Sequence, residues 1–317
     1  MINIWEVTPN KINSNMKSKI FQFYGEQGTW KTTVASKFPK PLLVAGEIGY
    51  QFIDGIRALP VNSWSDVKEV CRQLKKKEAK EAFDTIVFDT ISSMSQMCKK
   101  YVLGKYGVEE LSDIPYGQGW SAVKEEFRMF NDVSKLGYGL VFISHAKEKE
   151  VTNKQTKETS IKVSTDLDGW AATIIEDLCD FVFYVRKEEE EDGTSAVYAY
   201  SDLPTISSKR RLNTFPSRIK FEYENIVNGI EEGIKLKNVE TSDVNLRETT
   251  VESLDKIRQD VINLIVKYGE TSAADDITAF ITSTFGDVRI SQTTEIHRDK
   301  LVVARDYLIS LGEKLGC

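Results

Sequence analysis

The chain has 317 residues, enough for about two domains and a sizeable buried core. Its 41% hydrophobic and 28% charged content excludes a wholly disordered or collagen-like polymer. With 42 Lys and Arg against 48 Asp and Glu, the net charge of −6 excludes a globally basic nucleic-acid coat but leaves room for a local basic groove.

Five short apolar runs punctuate the first two thirds: Ile20 to Tyr24, Pro41 to Ala45, Thr85 to Phe88, Tyr138 to Ile143 and Asp180 to Val185. Each is β-branched or aromatic and bounded by polar or Gly residues, which predicts buried parallel strands. Between them, Ser65 to Lys77 and Trp120 to Leu136 carry apolar residues at helical spacing. The alternation predicts an α/β fold, a mostly parallel sheet flanked by helices. After residue 190, Ala196 to Tyr200 and Ile219 to Tyr223 read as antiparallel edge strands around the basic stretch Lys209-Arg210-Arg211. The acidic run from Glu188 to Asp192 reads as a solvated hairpin tip. The polar stretch from Lys235 to Thr250 reads as a linker. Helices are expected beyond it, one around Leu254 to Ile265, then Ala273 to Phe285 and Thr294 to Leu315. The domain reading is residues 1–235 as the core, 236–250 as a linker and 251–317 as a C-terminal helical module.

No window has 18 consecutive apolar residues, so no membrane helix or membrane partner is expected. Met1 to Asn10 lacks the basic and apolar regions of a secretory signal. Cys71, Cys98, Cys179 and Cys317 form no CxxC pair and read as reduced thiols of a cytoplasmic protein. The only two histidines make a His-rich metal site unexpected.

The most specific motif is Gly25-Glu26-Gln27-Gly28-Thr29-Trp30-Lys31-Thr32-Thr33, placed between a predicted strand and a predicted helix. This is the context of a phosphate-binding loop. Glycines let successive N–H groups turn toward phosphate oxygens, and the helix adds its positive end. Lys31 is expected to reach the β- and γ-phosphates of ATP, and the Thr32 hydroxyl to hold Mg²⁺. Trp30 replaces the glycine that the GxxxxGK[ST] pattern places before the lysine. Its side chain must turn away from the phosphates or narrow the site, which bears on the hydrolysis rate.

Three strand ends supply further candidates. Asp89 ends the run DTIVFD and is expected to act on the Mg²⁺ shell through water, or else to cap the following helix, since Thr90, Ser92 and Ser93 come next. Glu47 follows PLLVAG and reads either as a general base that orients the attacking water or as an ordinary loop acid. His145 follows the fourth run and can sense the γ-phosphate, a role its neighbour Ser144 could hold instead.

Together GEQGTWKTT, FPKPLLVAGE, DTIVFDT and VFISHAKE resemble the RecA-like ATPase core. The nearest likeness is to the AAA-type phage nucleotide-binding proteins of the single-strand annealing and recombination group, similar to the cores of RadA and KaiC. The likeness spans residues 17 to 225. It implies a P-loop ATPase with ATP and Mg²⁺, and it gives Glu47 the catalytic carboxylate role. It also implies a K-x-R motif that reaches a neighbouring subunit's nucleotide, matched here by Lys209 and Arg211, and hence a ring or filament. A guanidinium there stabilises charge on the transferring phosphoryl group.

The resemblance further implies two segments facing single-stranded DNA. One lies near Gly104 to Gly119, the other at about Ala146 to Gly169. The second holds Lys147, Lys149, Lys154, Lys157 and Lys162, and its composition suits either a mobile loop contacting phosphates or a plain surface excursion. Tyr116, Trp120 and Trp170 flank these segments and could stack on bases, with the core as the other reading for the two tryptophans. Residues 241–317 carry 9 basic and 13 acidic residues, which favours docking to a neighbouring subunit or a partner such as a single-strand-binding or other recombination protein over binding DNA alone. The function expected is a cytoplasmic phage ATPase acting on single-stranded DNA. The alternative is a nucleotide-dependent switch or loader with little turnover, which Trp30 favours.

Overall fold

Consecutive rather than alternate apolar residues mark strands covered on both faces, and the computed structural model of the chain arranges them so. It describes residues 5, 9–152, 159–239, 241, 242, 245, 247 and 254–315. The first unit, Met1–Thr249, holds the sheet. In chain order its elements are β1 (Ile20–Gly25), α1 (Lys31–Ala35), β2 (Pro41–Ala45), β3 (Arg57–Pro60), α2 (Trp64–Gln73), α3 (Lys77–Ala82), β4 (Thr85–Asp89) and α4 (Ile91–Tyr106). There follow α5 (Gln118–Phe127), α6 (Met129–Val133), β5 (Gly139–Thr152), β6 (Thr159–Thr165), α7 (Gly169–Leu178), β7 (Phe181–Glu189), β8 (Ser195–Tyr200), β9 (Lys209–Arg210), β10 (Arg218–Lys220) and α8 (Tyr223–Leu236).

The described strands form one ten-stranded sheet of order β10-β8-β7-β1-β5-β4-β2-β3, with β6 on β5 and β9 on β7. Six of them, β3 through β7 in that order, run parallel, and β8 and β10 extend the sheet antiparallel. The strand alternation assigns each side chain to a face. Ile20, Tyr24, Ile86, Phe88, Leu140, Phe142, Val182 and Tyr184 pack under the helices that carry Trp64, Phe127 and Ile175. Phe21, Phe23, Val87, Val141, Ile143, Phe181 and Phe183 pack on the other face, with Val34 of α1 and Ile226 and Ile230 of α8. This is the mostly parallel sheet flanked by helices that the RecA-like reading expects. No described helix is long and apolar enough to cross a membrane.

The structure departs from the sequence reading in several places. The fourth run does not stop at Ile143. Strand β5 continues to Thr152 and pairs antiparallel with β6, so the segment taken as a long loop from Ala146 is a hairpin. From Lys147 to Glu150 its residues are charged and exposed, and such a stretch carries no apolar periodicity to detect. Gly104 lies inside α4 rather than in a loop. The predicted helix from Trp120 divides at Arg128 into α5 and α6. The run from Ile219 is a strand only to Lys220, and Tyr223 opens the unforeseen helix α8. Edge strand β3 was also unforeseen; its burial is slight and its apolar content short.

The second unit, Thr250–Cys317, contains α9 (Leu254–Tyr268), α10 (Ala274–Phe285) and α11 (Arg298–Lys314). Val261, Ile277, Leu301 and Leu308 form the centre of its own small core.

Candidate functional site

The carboxyl ends of β1, β2, β4 and β5 meet at one edge of the sheet. Register places Gly25 beside His145 and Ala45 beside Asp89. Gly25 is required by close approach: a Cβ there would stand 2.0 Å from the Val185 carbonyl oxygen of β7. Gly28 turns the loop with φ of 74°. Trp30 also sits in the left-handed region, with φ 56° and ψ 27°, as the residue that caps α1. That conformation suits the glycine it replaces and costs a bulky residue strain. The indole is 56% exposed, so it borders the site instead of packing into the protein.

Lys31 is buried. Its ammonium donates to the Gly25 carbonyl at 3.0 Å, the Glu26 carbonyl at 2.6 Å and Thr29 Oγ1 at 3.1 Å, all neutral acceptors. Burial lowers its pKa to about 8, against the pull of Asp89 and Asp166. The Thr32 hydroxyl donates to Asp89 Oδ2 at 2.6 Å. Burial raises the Asp89 pKa, opposed by that hydrogen bond. Asp89 is not the cap of α4; Thr90 is, accepting from the Ser93 N–H at 3.2 Å.

Thr90 has a second role that the sequence reading missed. Its hydroxyl donates to Glu47 Oε1 at 2.6 Å, while Glu47 Oε2 lies 3.6 Å from His145 Nε2. His145 Nδ1 is buried without a hydrogen-bond partner among the described residues. Ser144 faces the opposite side of β5, where it accepts from Gln22 and Thr165, so His145 and not Ser144 lines the pocket. Asp166 was also missed. One of its oxygens accepts from Ser92 Oγ at 2.5 Å and from the His145 N–H at 3.2 Å, fastening the root of the β5–β6 hairpin to the start of α4. A lone acid in a polar stretch gives no signal of such a role.

Gln27 to Thr33, Glu47, Asp89, Thr90 and His145 thus surround one cavity of about 620 Å³. Among these lining residues Lys31 is the only Lys or Arg. The donor set fits a magnesium-bound triphosphate: a buried ammonium with only neutral partners, a loop turned by Gly28, and the paired hard oxygens of Thr32 and Asp89.

Other candidates lie elsewhere. Lys209 and Arg211 sit beside the start of β7, toward the sheet end opposite the phosphate loop. There Lys209 donates to the Glu176 carbonyl at 2.6 Å, and Arg211 to the Asp177 carbonyl at 3.2 Å, at the last turn of α7. Within one chain they are not brought to the cavity. Lys147, Lys149 and Lys162 are on the hairpin, where Lys149 stands directly opposite Lys162 and Lys147 donates to the Leu167 carbonyl at 2.6 Å. Lys154 and Lys157 lie outside the described residues, as does Cys317. Trp170 is buried against Phe127, whereas Trp120, given a core reading, is 45% exposed and Tyr116 is fully solvated.

The chain is similar to known proteins. It is 31% identical over 153 residues to the SPbeta prophage-derived uncharacterized protein YorG of Bacillus subtilis (strain 168), a match covering 46% of this chain and 47% of that protein, so the chain spans about half the length of this relative. Among solved structures it is similar to the flagellar accessory protein FlaH from Methanocaldococcus jannaschii, at 12% identity and a TM-score of 0.32, over 58% of this chain and 77% of that one. Residues 17–212, which hold the phosphate loop, both strand-end carboxylates and His145, match the AAA_24 model of AAA domains, and the chain belongs to that family.

Proposed function

We propose that the chain binds ATP with Mg²⁺ and hydrolyses it at contacts between identical subunits, acting on single-stranded DNA in phage recombination within the host cytoplasm. The observation that carries the reading is the buried Lys31 ammonium, held in a glycine-turned loop beside the Thr32–Asp89 oxygen pair. Lys31 takes the β- and γ-phosphates, and the backbone N–H groups of Gly28 to Thr33 cradle them. Thr32 holds Mg²⁺ directly and Asp89 through water. Bound Mg²⁺ supplies neutralising charge to the phosphate oxygens.

Glu47 accepts a proton from the attacking water in this reading. The Thr90 hydroxyl fixes one carboxylate oxygen and leaves the other facing His145, which reports whether the γ-phosphate is present. With Lys31 as the only Lys or Arg in its lining, the pocket leaves room for a cation from a second subunit, a role assigned to Lys209 and Arg211 of the next copy in a ring or filament. Lys149 and Lys162, opposed on an exposed hairpin, repel each other, and a DNA phosphate between them relieves that repulsion. The C-terminal unit docks a partner such as a single-strand-binding protein. The prophage origin of the relative supports the setting.

The test is steady-state ATP hydrolysis with and without a single-stranded oligonucleotide. The reading expects stimulation by the oligonucleotide, and a loss of roughly 10²- to 10⁴-fold in kcat for Glu47→Gln at unchanged ATP affinity. Trp30 in the loop favours a second reading, a switch that binds ATP and loads a partner with little turnover. Tight ATP binding with a slow rate that DNA leaves unchanged selects it.

A further inference from the structure

Strand β7 carries a basic cavity at one end and an acidic turn at the other. At its amino end, a cavity of about 580 Å³ is lined by Lys11, Lys19, Arg211, Lys237 and Arg247, with Asp180 as the only acid among the described lining residues. That carboxylate is already shared between Arg211 and Arg247, so the lining keeps a surplus of positive charge. At the carboxyl end of β7, the hairpin to β8 turns through the run Glu188-Glu189-Glu190-Glu191-Asp192. The turn is fixed. The Glu190 N–H donates to the Thr194 carbonyl at 2.7 Å, the Gly193 N–H donates to the Glu190 carbonyl at 2.9 Å, and Gly193 takes a φ of 80°. Glu188 is held by Arg186 and Arg218, each at 2.7 Å, and Glu190 accepts from the Tyr198 hydroxyl. Glu189, Glu191 and Asp192 are exposed, and the carboxylates of Glu189 and Glu191 have no hydrogen bond or ion pair among the described residues. Like charges gathered on one turn repel each other until opposite charge meets them.

We propose that the acidic tip of one copy seats in the basic amino-end cavity of the next copy. The inference rests on the ring or filament reading above and names a contact that builds it. Tip and cavity belong to one strand. The nine residues from Phe181 to Glu189 hold them about 26 Å apart at opposite ends, so a chain does not fill its own cavity. A tip at one end of a subunit and its seat at the other make a head-to-tail contact, which closes into a ring or propagates as a filament. Charge sets the occupant, with the exposed carboxylates of the tip entering a lining of five cations and one carboxylate. The contact also has the direction that the role given to Arg211 requires. It sets the amino end of one sheet against the carboxyl end of its neighbour, where the phosphate loop lies.

The experiment is sedimentation velocity of the full chain with MgATP, for the parent, for Lys237→Glu, for Glu191→Lys and for an equimolar mixture of the two variants. Both side chains are exposed, so both variants are expected to unfold at the parent temperature and to bind MgATP as the parent does. Each variant alone should need roughly tenfold more protein to assemble, while the mixture should assemble within about threefold of the parent. In the mixture each altered cavity meets an altered tip, and each unchanged cavity meets an unchanged tip. Variants that assemble like the parent overturn the inference, and so does a mixture no better than its parts, which reduces the effect to net charge. Loss of single-stranded oligonucleotide binding in Lys237→Glu at parent-like assembly also overturns it and makes the cavity a nucleic-acid site. A parent that binds MgATP and stays a single chain sinks the contact and the role of Arg211 in a neighbour, and keeps the phosphate site. The expected pattern of assembly in a protein that binds no MgATP sinks the nucleotide reading alone.

Discussion

The two ends of the central sheet handle charge in opposite ways. At the amino end, two arginines are matched. Asp180 Oδ2 accepts the Ile20 N–H that starts β1, and Oδ1 takes Arg247 at 2.8 Å and Arg211 at 3.2 Å. At the carboxyl end, 20 to 25 along the same strand, Lys31 has only neutral acceptors, Glu47 has one oxygen free of the Thr90 bond, and His145 Nδ1 is without a partner among the described residues. Buried polar groups are normally satisfied, and among the described residues His145 Nδ1 is the unsatisfied one that belongs to a residue lining this cavity. The amino end therefore fastens the strand with matched charges, and the carboxyl end gathers Lys31, Glu47, Asp89 and His145 around one cavity.

Arg211 is where this contrast can break. It belongs to the fastened end in its own chain, yet the proposed assembly also gives it work at a neighbour's nucleotide. Arg211→Ala is expected to lower kcat of the assembled protein by about 10³-fold or more. Its guanidinium is half-exposed, so the unfolding midpoint should hardly move. A normal kcat with a lowered midpoint would leave it a fastener alone.

Asp180→Asn sharpens the contrast from the other side. The variant leaves Arg247 and Arg211 facing an uncharged amide, and stability should fall by about 3 kcal/mol in urea unfolding. ATP affinity of the folded protein should stay at the parent value, because the change is at the far end of β1.

The smallest effect is in pH. Burial brings the Lys31 pKa down to about 8. ATP affinity should be full below that pH and fall as the pH rises through it, by up to about tenfold per unit, since the neutral amine no longer attracts phosphate. Without nucleotide the sign reverses for stability. The cost of burying the ammonium is present below about 8 and is relieved as the pH climbs toward the ordinary lysine value of 10.5. Titrations between pH 7 and 9 check both.

The carboxyl end was largely legible in the sequence because its chemistry is written in short contiguous pieces. The loop residues Gln27 to Thr33, Glu47 after one apolar run, Asp89 ending another and His145 after a third all come to one cavity, while Gly25 and Glu26 of the same loop do not line it. The strands that carry them were legible because burial on both faces makes them continuously apolar. The amino end was not legible, since Asp180, Arg211 and Arg247 are joined only by tertiary contacts across long sequence gaps. Asp166 and Thr90 escaped for the same reason. Helix α8 does carry Ile226, Ile230 and Ile234 at helical spacing, but Gly229 and Gly233 weaken the local signal. Those glycines are explained by packing, for a Cβ at Gly229 would meet Phe215 at 2.7 Å and one at Gly233 would meet Leu212 at 2.8 Å.

The most direct measurement is calorimetric titration of MgATP into Lys31→Ala beside the parent. Removing the buried ammonium should weaken binding by roughly 100-fold or more while the variant unfolds at or above the parent temperature, because a charge that was costly to bury is gone. Parent-like ATP affinity in a folded Lys31→Ala protein would contradict the account.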